Sequence, residues 1–221
     1  MVAPNRDACA PSQTAAVVYV HGLWMWGAEC YLLGRHLWRE HGLRLTVFSY
    51  PSVRAPLAQI AAQLHVLLDS LPAPQVHLIG HSLGGSIILE CLERHGMRQP
   101  GRVVLMGAPV RGSRSALYLA HWAWGRRIMG RAVADALLSP PARRWDSSRE
   151  VGIIAGTRPV GLGQLLLRFG EPNDGTVAVS ETRLPGAKAT IELPVTHMGL
   201  LWAAQPAREA GSFLLHGRFG L

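Results

Sequence analysis

Short apolar runs alternate along the chain with longer stretches in which apolar residues recur every three or four positions. The runs 16–20, 44–50, 75–80, 102–106, 151–155 and 189–193 read as strands. Between the second and third, Leu57, Ile60, Ala61, Leu64, Leu68 and Leu71 share one helical face, and Gln59, Gln63 and Asp69 occupy the other. That helix therefore covers a sheet on one side only. Residues 86–95 repeat the pattern, with Ile87, Ile88, Cys91 and Leu92 facing inward and Glu90, Glu93 and Arg94 facing solvent. A closing helix is expected over 200–215, with Pro206 at its start or at a kink. Alternation of this kind predicts an α/β fold, a mostly parallel sheet of about six strands flanked by helices.

One segment departs from it. Residues 108–150 exceed what a plain crossover needs, and they hold Tyr118, Trp122, Trp124, Ile128 and Met129 among Arg111, Arg114, Arg126, Arg127 and Arg131. The expectation is a helical cap inserted between the fourth and fifth strands. No internal repeat or domain boundary is visible, so the 221 residues read as a single domain.

Composition narrows the class without naming a function. Hydrophobic residues make up 48% and charged residues 16%, which excludes a disordered tail or a collagen-like fibre. Twenty-two basic residues against 14 acidic ones give a formal charge of +8. Lys188 is the only lysine. Such a surplus fits an acidic partner, or simply a genome that favours arginine codons. Nucleic-acid binding has no motif behind it, and peripheral contact with an anionic lipid surface remains open. Cys9, Cys30 and Cys91 form no CxxC pair, so neither a disulfide framework nor a zinc cluster is expected. The first 14 residues lack an apolar run, and no stretch approaches the 18 apolar residues of a membrane span. Reduced thiols and a cytoplasmic location are the expectation.

The chemistry begins at Gly80-His81-Ser82-Leu83-Gly84, a G-x-S-x-G pattern. Context makes it more than a chance match. Val76-His77-Leu78-Ile79 before it reads as a buried strand and 86–95 after it as a helix. A strand turning into a helix over four residues strains the backbone at the serine, and Gly80, Gly84 and Gly85 remove the Cβ atoms that would clash. The bland alternative is a serine capping an ordinary helix. His77 and His81 form an H-x3-H pair, but a strand does not place them as a metal site would require. A nucleophilic serine needs oxyanion donors, a base and an acid. Strand 16–20 ends in His21-Gly22-Leu23, so the Leu23 N–H is one candidate donor and the Leu83 N–H its mate. Each such donor contributes about 3–4 kcal/mol in a transition state. His21, lying before the glycine, reads as a turn-stabilising residue. His197 follows the last strand, at the end of the sheet where Ser82 sits, and is the candidate base. Asp174, in Asn173-Asp174-Gly175-Thr176, lies after strand 151–155 and before His197 and is the candidate acid, with Glu171 as the fallback.

On these residues the chain resembles the α/β-hydrolase superfamily, and within it the small bacterial lipases and esterases. The Val-His-Gly-Leu start, Gly-His-Ser-Leu-Gly-Gly, Asn-Asp-Gly-Thr-Val and Thr196-His197-Met198-Gly199 carry the likeness. It implies Ser82 as nucleophile, Asp174 as acid, His197 as base, Leu23 and Leu83 as oxyanion donors, and no cofactor. It also implies a minimal fold that starts directly at the oxyanion strand. Trp24-Met25-Trp26 is bulkier than usual for that turn, and the Arg/Trp-rich 108–150 has no counterpart in the pattern. Both bear on the substrate. Trp24, Trp26, Trp122, Trp124 and Met129 are candidate linings of an acyl pocket, against the alternative of plain packing. The leading reading is a serine hydrolase of carboxylic esters with an apolar acyl group. An acyltransferase or thioesterase uses the same three side chains, and a non-catalytic lipid- or protein-binding protein is the third reading.

Overall fold

A computed structural model describes residues 15–138, 140, 143–161 and 169–220. Six strands, β1 (Ala15–Val20), β2 (Leu45–Phe48), β3 (Gln75–His81), β4 (Val103–Met106), β5 (Val151–Gly156) and β6 (Ala189–Leu193), form one sheet. Their order is β2-β1-β3-β4-β5-β6 and every pairing is parallel. The expected strands are thus present, trimmed or extended by a residue or two at their ends, and "mostly parallel" becomes wholly parallel.

The pleat sorts the core into two. Val18, Val20, Leu78, Leu105 and Ile153 face one way, against α2 (Leu57–Ser70) and α3 (Leu83–Arg94). Val17, Tyr19, Ile79, Val104, Met106 and Ile154 face the other, against α1 (Tyr31–His41) and the last helix, Ala204–His216. The closing helix differs from expectation. It breaks at Ala203 into Gly199–Trp202 and Ala204–His216, and Pro206 falls in the first turn of the second piece, where its missing N–H costs nothing.

Between β4 and β5 stand α4 (Arg114–Ala120), α5 (Ala123–Met129) and the helical turns Arg131–Val133 and Ala134–Leu138. The sheet-ward side of this segment joins the core through Ala116, Met129, Val133 and Leu137. It also corrects one assignment on α3. Glu90, expected in solvent, is buried, because Arg143 folds over it (2.7 Å) and reaches Glu93 (3.0 Å). The thiols of Cys30 and Cys91 are buried and unbridged, and burial pushes both up to about 12. Cys9 lies outside the described residues. No helix among the described residues is long and apolar enough to cross a membrane.

His77 couples this fold to pH. Its ring is buried in β3, and Nδ1 accepts the Arg102 N–H (2.9 Å). Burial, with help from the Arg102 and Arg149 charges, lowers its pKa from 6.5 to about 4. The unfolded chain then binds the proton first, so stability is fully present above pH 6.5 and is lost as the pH falls toward 4. The expected loss from His77 between pH 7 and pH 5 is about 2 kcal/mol. Urea unfolding at the two pH values measures it, and His77→Asn, whose Oδ1 can accept the same N–H, should show the shallower dependence.

Candidate active site

Two neighbouring strands deliver the site. Val20 of β1 pairs with Gly80 of β3, so the segments that follow, His21-Gly22-Leu23 and His81-Ser82-Leu83, leave the sheet side by side. The strand order reverses between these two strands, the point at which open parallel sheets form their crevice. Ser82 sits at φ 54, ψ −124, a conformation that is strained for a side-chain-bearing residue, and α3 begins at the next position. Its surroundings hold it there. A Cβ on Gly84 would lie 2.0 Å from the Val20 carbonyl oxygen, and one on Gly80 would lie 2.7 Å from the Gly85 backbone. Glycine is the residue type that lets the helix start this close to β1.

The N–H groups of Leu23 and Leu83 have no acceptor among the described residues, and both residues border the same cavity as Ser82. His21 braces the first of them from behind. Its Nε2 accepts the Tyr50 N–H (3.3 Å), so Nδ1 carries the proton and donates to the Gly22 carbonyl (2.8 Å). The ring stacks on Tyr50 at 4.1 Å, and Tyr50 Oη donates to the His21 carbonyl (2.6 Å). This histidine is fully committed to the turn.

Across the cavity, His197 Nδ1 lies 2.7 Å from Asp174 Oδ2. The other carboxylate oxygen, Oδ1, accepts the N–H groups of Thr176 (2.9 Å) and Val177 (2.7 Å), which keeps Oδ2 for the imidazole. A further bond runs from the His197 N–H to the Asp174 carbonyl (2.8 Å). With Nδ1 protonated by this arrangement, Nε2 is the basic nitrogen. Glu171, the fallback, is elsewhere, paired with Arg114, and a Ser180 hydrogen bond together with that arginine holds its carboxyl below the usual range.

Sequence reasoning passed over two participants. His81, dismissed as half of a metal-like pair, is entirely buried, and its Nε2–H donates to the His197 carbonyl (3.1 Å). Burial and the nearby His197 ring push its pKa far down, so it stays neutral and anchors the loop. Gly107, just after β4, is the second. A Cβ there would stand 3.0 Å from Asp174 Oδ2 and 3.1 Å from His197 Nδ1. Its φ of +57 was the only hint available, and that is a property of the fold.

The α/β-hydrolase family model matches residues 17–216, nearly the whole chain. The chain belongs to the α/β-hydrolase family. Among solved structures, the chain is similar to a Bacillus licheniformis lipase in its mature form (TM-score 0.67, 21% identity, covering 90% of this chain and 89% of that one). It is also similar to a Bacillus subtilis carboxylesterase (TM-score 0.58, 16% identity, 94% and 86% covered). A thioesterase of the prodiginine pathway of Streptomyces coelicolor superposes as well (TM-score 0.58, 13% identity, 89% and 87% covered). Identities this low carry the fold alone. No curated protein was found to match the chain in sequence.

The cavity holds about 500 Å³ between the sheet's C-terminal edge and the segment after β4. Ser82 and His197 border it, and among its described lining residues His197 alone can titrate. Of the five side chains expected to line it, Trp24 and Met129 do. Trp26, Trp122 and Trp124 lie outside, on the surface. The reason is geometric: in α5 the inward positions go to Gly125 and Met129, which turns the neighbouring Trp124 outward.

The Asp174–His197 pair is directly observable. A far-downfield imidazole N–H proton resonance is expected for the wild-type chain and for Ser82→Ala. It should vanish in Asp174→Ala and in Gly107→Ala, with the far-UV circular dichroism unchanged.

Proposed function

We propose that this hydrolase is a serine esterase that cleaves neutral carboxylic esters carrying an apolar acyl chain. The observation that carries the proposal is that Ser82, on its strained turn, borders the same cavity as a histidine whose Nδ1 is held 2.7 Å from a buried aspartate. In the proposed reaction His197 Nε2 takes the Ser82 hydroxyl proton as Oγ attacks the ester carbonyl. Asp174 holds the ring in the required tautomer and stabilises the imidazolium. The negative oxygen of the tetrahedral intermediate receives the N–H groups of Leu23 and Leu83, aided by the N-terminus of α3. Collapse breaks the ester C–O bond, and His197 returns the proton to the departing alkoxide. Water then attacks the acyl-serine by the same route, releasing the acid and restoring Ser82.

Two features support an apolar acyl group. No charged side chain borders the cavity among the described residues. Three of its hydroxyl oxygens are engaged, with Ser115 Oγ donating to the Thr176 carbonyl (2.7 Å), Ser113 Oγ accepting the Ala116 N–H (3.2 Å) and Thr196 Oγ1 accepting the Gly199 N–H (3.0 Å). A charged acyl terminus would lose its hydration there without gaining a charged partner.

Ser82→Ala should lose fluorophosphonate labelling and at least about 10⁴-fold in kcat on p-nitrophenyl esters while melting like the wild type. Retained turnover in that variant would remove Ser82 from the mechanism. Asp174→Asn should cost about 10⁴-fold through the wrong tautomer. Chain length gives a separate reading. From acetate upward, kcat/KM should rise by up to about fourfold per added methylene until the cavity is full, the transfer value of a buried CH₂. A succinyl half-ester should react more slowly than butyrate. Acyl thioesters assayed alongside decide between ester and thioester as the preferred substrate.

A further inference from the structure

The outer face of α4 and α5 inverts the usual order of a surface helix. Leu117, Tyr118, Trp122, Trp124 and Ile128 are all between 42% and 56% exposed, whereas an ordinary surface helix turns such residues inward. The polar groups among them are cationic. Residues 108–134 contain five arginines and no acidic residue. Arg114 is paired with Glu171 and Glu181, but Arg111, Arg126, Arg127 and Arg131 have no ion pair among the described residues and are exposed. Elsewhere Arg144–Asp146 and Arg208–Glu40 are paired, while Arg35, Arg39, Arg54, Arg98, Arg158 and Arg183 are also exposed without an ion pair among the described residues. The patch is therefore set apart by its exposed apolar side chains and its lack of acidic residues rather than by unpaired arginine alone.

This patch is joined to the mouth of the cavity. Ile128, Trp24 and Val160 border the cavity and are exposed as well. The Trp24 indole N–H donates to the Ile128 carbonyl (2.9 Å), tying the end of α5 to the turn that carries Leu23. An apolar surface rimmed by unpaired arginines and opening onto an apolar cavity has one occupant that satisfies all three features. We propose that the α4–α5 face docks on an anionic lipid bilayer, with Trp122, Trp124 and Leu117 entering the interfacial region. Arg111, Arg127 and Arg131 would then face the lipid phosphates. Indole rings favour the headgroup level, where their N–H stays hydrated, and each arginine held near an anionic surface strengthens binding. The cavity mouth then lies at the membrane, and an acyl chain passes from bilayer to Ser82 without crossing water. The docking claim stands on the surface alone and does not depend on Ser82 being active.

Co-sedimentation of the whole chain with phosphatidylcholine vesicles, with and without about 30% phosphatidylglycerol, tests it. The expected result is binding to the anionic vesicles that weakens at high salt. Arg127→Gln/Arg131→Gln should reduce the partition coefficient by about 25-fold, about fivefold per arginine. Trp122→Ser/Trp124→Ser should release the protein even at low salt. Both variants should keep wild-type melting and wild-type turnover of a water-soluble butyrate ester, since none of the four residues borders the cavity. Lack of sedimentation with anionic vesicles would overturn the proposal, and so would binding that neither double variant weakens. Self-association abolished by the tryptophan changes, in a chain that ignores vesicles, would assign the patch to a second copy instead and equally overturn it. Vesicle binding by a chain without esterase activity would leave the docking intact and remove only the catalytic reading.

Discussion

Parallel pairing of β1 with β3, in the register that sets Val20 against Gly80, is the constraint on which the site rests. It forces two chain segments out of the sheet at the same place, and α3 must start within van der Waals reach of the β1 carbonyls. Only glycine at position 84 permits that approach. The cost is the strained backbone at Ser82, which persists because the hydrogen bond from its N–H to the Met106 carbonyl (3.0 Å) and the packing of α3 over-determine it. Slipping the register by a single residue would exchange the rows of β1 and β3 that pack on the two core layers, so both layers enforce the geometry of the turn.

The rest of the site is assembled by what cannot move. His197 is fixed by its backbone as firmly as by its ring, between the Asp174 carbonyl and the neutral His81. Asp174 has one oxygen saturated by backbone N–H groups and one left for the imidazole. His21 and Tyr50 lock the opposite wall. Buried neutral histidines recur here for one reason. Each can donate or accept a hydrogen bond without carrying a charge, which suits the interior of a sheet that has no counter-ions to offer.

The segment after β4 has two faces of different character. Its inner face completes the core and roofs the cavity, while its outer face is apolar and basic. This division explains why tryptophans that sequence placed in the acyl pocket are found on the surface. A helix of seven residues has only two turns, and the inward places were taken by Gly125 and Met129. Part of the basic surplus lies on that outer face. Arg143 and Arg149 are spent on buried carboxylates and carbonyls, and the arginines of α5 are not.

Much of this molecule was legible from its residues because the relevant signals are local. Apolar runs specify buried parallel strands. The glycines around Ser82 mark a turn that few other structures need, and the order Ser82, Asp174, His197 follows from which loops end at the same edge of the sheet. What lay out of reach depends on contacts between distant segments. That Gly107 makes room for the Asp174–His197 pair, that His81 anchors a residue 116 positions away, and that Arg143 buries Glu90 are consequences of the sheet order. So is the break at Ala203, and so is the side of α5 that meets the core. Periodicity reports which residues want burial; only tertiary packing decides which of them receive it, because a short helix over a cavity has fewer inward positions than apolar side chains to fill them.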